Sequence, residues 1–297
     1  MPLVALKIDV DTYRGTREGA QRLAVLLARL KVRATFLFSL GPDHTGRAIR
    51  RVFRRGFMGK VKRTSVLEHY GLKTLLYGVL LPGPRIGARC RAELRAIADA
   101  GFEVGVHTWD HTRWQDGVAR ASEAWTRREL TLARDEFAAV FGRAPLVHGA
   151  AGWQMNPYVP ALERELGFRY ASDTRGTAPF LPAPAQLSVP QLPTTLPTLD
   201  ELIGREDLNG EDPVAHLLRS SAAAGDADQV FTLHAELEGG AYLGAFERLL
   251  EGWLHRGVEL TDLAGYAARL DLAHLPPGRI LAGEVPGRSG ALAVQGA

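Results

Sequence analysis

Ala5–Asp11, with the sequence ALKIDVD, is an apolar run that ends in two carboxylates. Asp9 and Asp11 are two residues apart, so both side chains point to the same side of an extended strand. Two later stretches follow the same plan: Glu103–His111 (EVGVHTWDH) ends in two imidazoles, and Gln229–Glu236 (QVFTLHAE) ends in an imidazole and an acid. Functional groups at the C-terminal ends of several strands are what the active site of a (β/α) barrel requires.

Each of these strand ends, taken alone, has an ordinary structural interpretation. An acid after a strand more often caps a helix or closes a turn, and a lone histidine is more often a satisfied structural residue. The three together favour a catalytic centre, because one carboxylate and two imidazoles are a common ligand set for a divalent metal. Such a set leaves positions for water and substrate, and a second carboxylate can act as a base.

The rest of the chain alternates between strand and helix patterns, which predicts a parallel sheet. A doubly wound sheet and a barrel fit this order equally well. Strands are predicted at 3–9, 34–40, 103–107, 146–150, 168–172, 229–235 and 258–260, with an extended segment at 187–193. Helices are predicted at 16–31, 88–100, 126–141 (opening with a capping box, Thr126 and Glu129), 157–166, 212–224, 243–256 and 261–270.

The composition favours one globular domain without a membrane span. The chain has 297 residues, of which 46% are hydrophobic, so it can bury a large core. Its single cysteine, Cys90, fits a reducing compartment and is interpreted as structural. We find neither a secretory signal nor an apolar window long enough to span a bilayer, so a soluble or peripheral, cytoplasmic protein is expected.

Residues 43–89 form a connection too long for an ordinary link between strand and helix, and long insertions are usually functional or disordered. This segment carries a net charge of +9, whereas the rest of the chain carries −6. Part of it predicts a basic amphipathic helix with apolar positions at Ile49, Val52, Phe53 and Phe57 and with basic positions at Arg47, Arg50, Arg51, Arg54 and Arg55. Either this helix packs on the core with a solvated basic face, or it meets an anionic membrane surface.

Several other functions lack their sequence signatures. There is no zinc finger, helix-turn-helix or aromatic RNA-binding pattern, so no nucleic-acid partner is expected. Phosphate-binding loops, dinucleotide-binding glycines and the motifs of zincins and serine hydrolases are also absent from the sequence.

Longer motifs around the strand ends carry a family resemblance over about residues 3–290. They are Asp9–Gly19 (DVDTYRGTREG), His107–His111 (HTWDH), Ala150–Trp153 (AAGW), Ser172–Gly176 (SDTRG), Leu196–Thr198 (LPT) and His234–Gly239 (HAELEG). The chain resembles the polysaccharide deacetylase family, also called the NodB-homology family. Within it, the motifs are most similar to the 4-deoxy-4-formamido-L-arabinose-phosphoundecaprenol deformylases. The resemblance implies an α/β fold: one distorted (β/α) barrel domain over 1–297, with the insertion at 43–89. From about residue 276 the Gly-, Pro- and Ala-rich composition predicts a tail.

The resemblance also implies a division of roles. Asp11, His107 and His111 would hold one divalent metal ion (Zn, Co, Ni or Mn), Asp9 would be the general base and His234 the general acid. The implied reaction is removal of an N-formyl or N-acetyl group from an amino sugar linked to undecaprenyl phosphate, in the modification of lipid A. The protein would then work at the inner face of the cell membrane, docked through Arg47, Arg50, Arg51, Phe53, Arg54, Arg55 and Phe57.

One position departs from the resembling deformylases, which continue the AAGW motif with Arg where this chain has Gln154. Arg14 and Arg175 are candidates to replace that arginine beside Asp9 or to bind substrate, although either fits a surface ion pair equally well. Trp153 fits a sugar-stacking residue or a core aromatic. Glu236 is a candidate to orient His234 or to bind sugar hydroxyls.

Two alternatives remain open from the sequence. A catalytically silent carbohydrate- or lipid-binding barrel would keep the fold without the reaction, although all the predicted reactive residues are present. A secreted polysaccharide or peptidoglycan deacetylase would need a signal sequence and would have no use for the basic insertion.

Overall fold

The computed structural model describes residues 2–48 and 74–296. Its strands are β1 (Leu3–Val10), β2 (Thr35–Ser39), β3 (Glu103–Thr108), β4 (Val147–His148), β5 (Tyr170–Ala171), β6 (Leu181–Pro182), β7 (Gln229–His234), β8 (Glu259–Thr261), β9 (Pro277–Gly283) and β10 (Leu292–Gly296). Its α-helices are α1 (Ala20–Leu30), α2 (Ile86–Arg89), α3 (Arg91–Asp99), α4 (His111–Gly117), α5 (Glu123–Phe141), α6 (Val159–Glu165), α7 (Leu199–Leu202), α8 (Pro213–Ala223), α9 (Leu243–His255) and α10 (Leu263–Ala267).

The main sheet is parallel and runs in the order β5-β4-β3-β2-β1-β7. On one side of β1, β2 pairs with the C-terminal half and β8 with the N-terminal half, while β7 follows nearly the whole opposite side. All eight residues of β1 are buried, because helices cover one face of the sheet and the barrel interior lies on the other.

An extended segment closes the gap between β5 and β7. The backbone of Leu192 donates to the Ala171 carbonyl of β5, and Thr195 and Leu196 donate to the Val230 carbonyl of β7. The sheet therefore curves round into the distorted barrel that the family resemblance implied, and this fold prediction is confirmed. Barrel geometry places the C-terminal ends of β1, β3 and β7 at one rim, where the site lies.

Three predicted helices differ in detail from the observed ones. The fifth helix begins at Glu123 rather than at residue 126, because the Ser122 hydroxyl accepts from the Trp125 backbone and caps it. The predicted helix 88–100 is two helices that meet at buried Cys90. The first helix opens with a π-helical turn at Gly15–Gly19, where glycine is needed because a Cβ at residue 19 would lie 2.0 Å from the Ala235 carbonyl oxygen.

The predicted C-terminal tail is instead a folded hairpin. Strands β9 and β10 pair antiparallel, and β6 pairs with β9 to complete a small second sheet. The backbone of Arg175 is hydrogen-bonded to Ala293 and Gln295 of β10, which joins this sheet to the barrel rim. Glycine and proline composition alone missed the hairpin because its contacts are with distant parts of the chain.

From residue 49 onward, the predicted amphipathic helix lies outside the described residues. The predicted membrane-docking residues in this part are Arg50, Arg51, Phe53, Arg54, Arg55 and Phe57. Just before the part that is not described, exposed Arg47 donates to the Gly78 carbonyl at 3.0 Å. After the described residues resume at 74, the apolar residues Val79, Leu80 and Leu81 are exposed. Among residues 2–48 and 74–296, no helix has both the length and the hydrophobicity to span a membrane.

Candidate active site and metal centre

Asp11, His107 and His111 meet at the barrel rim. Asp11 follows β1, His107 lies in β3, and His111 is the first residue of α4. The Oδ1 atom of Asp11 lies 3.3 Å from His107 Nε2, and its Oδ2 atom lies 3.3 Å from His111 Nε2. The ligand atoms of all three residues lie within 4.8 Å of one another. The structure thus brings the three predicted ligands together.

The hydrogen bonding of His107 fits a metal ligand. Its Nδ1 atom lies 2.6 Å from the Gly149 carbonyl oxygen and must donate, because a carbonyl only accepts. Nε2 is then the ring nitrogen that faces the Asp11 carboxylate, and its lone pair is the one that a cation held between the two residues would take. Neutral imidazole and carboxylate are ligands that Zn, Co, Ni and Mn all accept.

The charge state of Asp11 also fits a metal ligand. Burial acts to raise the pKa of Asp11, but the neighbouring imidazoles of His111, His107 and His234 outweigh burial and hold this pKa below its usual range. The carboxylate is therefore ionised at neutral pH and available to a cation.

Asp9 has a cationic partner that the sequence analysis did not select. The Nζ atom of Lys7 lies 3.4 Å from Asp9 Oδ2 and donates to the Ser172 carbonyl at 2.9 Å. Both side chains are buried, since Lys7 and Asp9 point the same way from β1. Lys7 thus occupies the position beside Asp9 for which Arg14 and Arg175 were the candidates.

Arg14, Arg175 and Gln154 are engaged elsewhere. Arg14 pairs with Glu18 on the surface at 3.1 Å. Arg175 is buried, pairs with Glu201 and donates to the Leu196 carbonyl at 3.0 Å. The side-chain amide of Gln154 donates to the Ala291 carbonyl at 2.9 Å, so it anchors the C-terminal hairpin.

His234 stands at the end of β7, directly beside Asp9 in the strand register. Its Nδ1 atom lies 3.8 Å from Asp200 Oδ1, a carboxylate at the start of α7. Asp200 also forms an ion pair with Arg288, whose Nη1 atom lies 2.9 Å from Oδ2. Burial acts to raise the pKa of Asp200, but Arg288 and His234 outweigh it, and the net shift is downward.

Trp153 is fully buried between cations. The guanidinium groups of Arg175 and Arg288 lie 5.0 and 4.8 Å from its ring centroid, and the Lys7 ammonium lies 5.3 Å away. Its ring meets that of His234 edge-on, with centroids 6.4 Å apart. Because only 1% of Trp153 is exposed, the ring supports the site from within, as the core interpretation proposed.

Glu236 contacts the loop of the metal ligand. Its Oε1 atom accepts from the Asp11 and Thr12 backbone amides and from the Thr12 hydroxyl, at 2.8–3.1 Å. Burial and the negative charge of Asp11 raise the pKa of Glu236 well above its usual value. Glu236, the candidate to orient His234 or to bind sugar hydroxyls, thus fixes the backbone that presents Asp11.

Glu238 is a second buried acid behind His234. It accepts from the His234 backbone amide at 2.8 Å, and its other oxygen has no hydrogen-bond partner among the described residues. Burial raises the pKa of Glu238 to about 8, although the backbone hydrogen bond acts against this shift. Glu238 is therefore mostly protonated at neutral pH.

The site residues missed from the sequence are Lys7, Asp200 and Arg288. Lys7 had a usable signal, because a lysine inside an apolar strand two residues before Asp9 must share its face. Asp200 and Arg288 follow no strand of the barrel, and no local pattern distinguishes them from surface ion-pair residues.

The chain is similar to known proteins over most of its length. The family model of polysaccharide deacetylases matches residues 2–171. A protein of Shewanella sediminis named "probable 4-deoxy-4-formamido-L-arabinose-phosphoundecaprenol deformylase ArnD" is 35% identical over 293 residues, covering 98% of this chain and 94% of its own length. A protein of the same name from Wigglesworthia glossinidia brevipalpis is 30% identical over 286 residues, covering 95% of this chain and 98% of its own length.

Among solved structures, a Mycobacterium smegmatis protein described as a polysaccharide deacetylase superposes with a TM-score of 0.66. The match covers 95% of this chain and 94% of that one at 20% identity, and it supports the fold alone. The family match spans more than half of the chain and the two relatives span nearly all of it. The chain belongs to the polysaccharide deacetylase family and is a hydrolase that acts on amides.

Proposed function

We propose that this protein removes an N-formyl or N-acetyl group from an amino sugar linked to undecaprenyl phosphate. The observation that carries the proposal is the convergence of Asp9, Asp11, His107, His111 and His234 at one barrel rim. The two named deformylase relatives support a 4-formamido-arabinose as the sugar. The free amino sugar would serve lipid A modification.

The chain's own residues can move both protons of the reaction. Asp9 takes a proton from the attacking water, and Lys7 compensates the charge of this buried base. His234 gives a proton to the amide nitrogen as the carbon–nitrogen bond breaks, because an unprotonated amine is a very poor leaving group. The products are a free amine and formate or acetate.

Asp11, His107 and His111 would hold the divalent metal ion. When bound, such an ion lowers the pKa of water and polarises the amide carbonyl. The Gly149 carbonyl and Glu236 keep His107 and the Asp11 loop in place for this purpose.

The same proposal includes docking on the inner leaflet of the cell membrane through the insertion. Within the described parts of this insertion, Arg47 and the apolar residues Val79, Leu80 and Leu81 are exposed. A polyprenyl-phosphate sugar combines an anionic headgroup with a long apolar tail, and this surface offers a partner to each.

The experiment is mass spectrometry of synthetic polyprenyl-phosphate amino sugars, N-formyl against N-acetyl, incubated with metal-loaded enzyme. We expect loss of one acyl group from at least one of them, and no loss after chelation. Asp9→Asn and His234→Ala should each lower turnover by roughly 10²–10⁴-fold. Wild-type enzyme that leaves every substrate intact would support a silent binding protein, and equal activity on lipid-free chitin or peptidoglycan fragments would support a polysaccharide deacetylase.

A further inference from the structure

The loop between β9 and β10 brings Arg288 to the wall of the active site. The guanidinium contacts three acceptors: Glu201 Oε1 at 2.8 Å, Asp200 Oδ2 at 2.9 Å and the Thr198 hydroxyl at 3.1 Å. The Arg288 side chain is 20% exposed, whereas Glu201 is buried. Three contacts hold this side chain in one orientation.

The loop itself is seated firmly on the barrel. Gly287 has a φ of +86°, and a Cβ at this position would lie 2.5 Å from the Glu201 carbonyl oxygen, so only glycine permits this approach. On the other side of the loop, Gln154 donates to the Ala291 carbonyl. The backbone is thus fixed on both sides of Arg288.

Asp200 connects this loop to the catalytic histidine. Its Oδ1 atom lies 3.8 Å from His234 Nδ1 and accepts from Arg288 Nη2 at 3.0 Å, while its Oδ2 atom lies 2.9 Å from Arg288 Nη1. The wall around it contains two further buried acids, Glu201 and Glu238. Removing Arg288 would leave Asp200 and Glu201 side by side without their shared cation and would loosen Asp200, although the Thr198 hydroxyl would still donate to its Oδ1 at 2.5 Å.

We propose that Arg288 is a positioning residue, which holds the Asp200 carboxylate toward His234 Nδ1 and so makes the C-terminal hairpin part of the active site. This inference rests on the proposed function, in which His234 protonates the leaving amine. A carboxylate opposite Nδ1 fixes the ring orientation and the tautomer, and it stabilises the protonated ring before the proton is given up.

The first test is the steady-state kinetics of Arg288→Met on the polyprenyl-phosphate formamido sugar. We expect kcat to fall about 10–100-fold, the usual effect of losing an outer hydrogen-bonding partner, with KM within about threefold of wild type. Arg288→Lys should recover part of the loss, because it keeps the charge but not the fork geometry. The matched control is Arg279→Met, which removes an exposed arginine from the same hairpin and should leave kcat unchanged.

A double variant tests whether Arg288 acts through Asp200. If it does, adding Arg288→Met to Asp200→Asn should lower kcat little beyond the loss from Asp200→Asn alone. Multiplied losses would assign Arg288 an independent role, and an Arg288→Met enzyme with wild-type kcat would overturn the proposal.

A second measurement does not need turnover. It uses the ring nitrogen resonances of His234 in ¹⁵N-labelled protein, which are assigned by their loss in His234→Gln. These resonances should shift in Arg288→Met and Arg288→Lys but not in Arg279→Met. Unchanged resonances in both Arg288 variants would overturn the inference even if the wild-type enzyme is active. If the wild-type enzyme hydrolyses no substrate, the proposed function fails, and these resonances alone decide whether Arg288 positions His234.

Discussion

Lys7 shows how one residue sets the electrostatics of the site. Its ammonium is fully buried, with Asp9 and the Ser172 carbonyl as polar partners and the Trp153 ring beside it. A buried charge without a partner is costly, so Lys7 and Asp9 depend on each other. Lys7 thus gives Asp9 a buried cationic partner in a chain that has Gln154 where the resembling deformylases have arginine.

Lys7→Met should therefore damage both activity and stability. Leaving Asp9 unpaired is expected to lower the free energy of unfolding by about 3–5 kcal/mol, and kcat should fall at least about tenfold. Urea denaturation and steady-state kinetics measure the two effects. In Lys7→Met/Asp9→Asn, which removes both charges, stability should partly return, and a double variant less stable than Lys7→Met would contradict the pairing.

Glu238 predicts a pH dependence of stability. Its pKa is raised to about 8 by burial, whereas a carboxyl in the unfolded chain titrates near pH 4.5. Between these values the folded protein binds more protons than the unfolded chain, so this group's contribution to stability falls as pH rises from about 4.5 to 8. Glu238→Gln cannot ionise and should lose less thermal stability than wild type between pH 5 and 9. Exposed Glu284→Gln is the matched control, and parallel curves for wild type and Glu238→Gln would rule out this assignment.

At the scale of elements, a buried cluster joins β4, α6 and the segment after β5. His148 Nδ1 lies 2.5 Å from Glu163 Oε1 and 3.0 Å from Asp173 Oδ1. Burial acts to lower the pKa of His148, but the two acids outweigh burial and raise this pKa to about 10, while burial raises the pKa of Glu163 well above its usual value. An imidazolium therefore pairs with the Asp173 carboxylate beside a protonated Glu163.

This cluster supports the site through its neighbour Gly149, whose carbonyl orients His107. Glu163→Ala should lower the free energy of unfolding by about 3 kcal/mol or more, since it opens a cavity and removes a partner of His148. Glu163→Gln should cost much less because it resembles the protonated acid. Urea denaturation of both variants measures the two losses of stability. The control is Glu165→Ala, which changes an exposed residue on the same helix. Equal losses for the Ala and Gln variants would show that Glu163 is ionised.

At the scale of the whole molecule, the insertion at 43–89 carries a net charge of +9, whereas the rest of the chain carries −6. Each arginine near an anionic surface contributes about 1 kcal/mol, so Arg47, Arg50, Arg51, Arg54 and Arg55 together would contribute several kcal/mol, strongly weakened by salt. The exposed apolar residues of this insertion add a hydrophobic contribution.

Replacing these five arginines with glutamine should lower binding to anionic liposomes and activity on long-chain lipid substrates. Activity on a short-chain analogue should change little, because Asp9, Asp11, His107, His111 and His234 are all unchanged. The matched control replaces five exposed arginines elsewhere: Arg120, Arg128, Arg143, Arg248 and Arg279. Equal losses on long- and short-chain substrates would assign the insertion arginines to folding or to sugar-phosphate binding.

The sequence by itself determined the barrel strands and the convergence of Asp9, Asp11, His107 and His234. This was possible because each of these residues lies at or near the end of an apolar strand, and parallel strands bring their C-terminal ends to one rim. Periodicity alone left the choice between a doubly wound sheet and a barrel open. The closing segment between β5 and β7 decides it through long-range backbone hydrogen bonds.

Only the tertiary structure decided which side chains support the reactive residues. Asp200 and Arg288 are 88 residues apart and Glu236 and Asp11 are 225 apart, yet each pair is in hydrogen-bond contact. Periodicity and capping signals act over a few residues, so they cannot encode contacts of this range. Local sequence patterns thus predicted the residues that meet at the rim, whereas chain packing decided which side chains hold them in place.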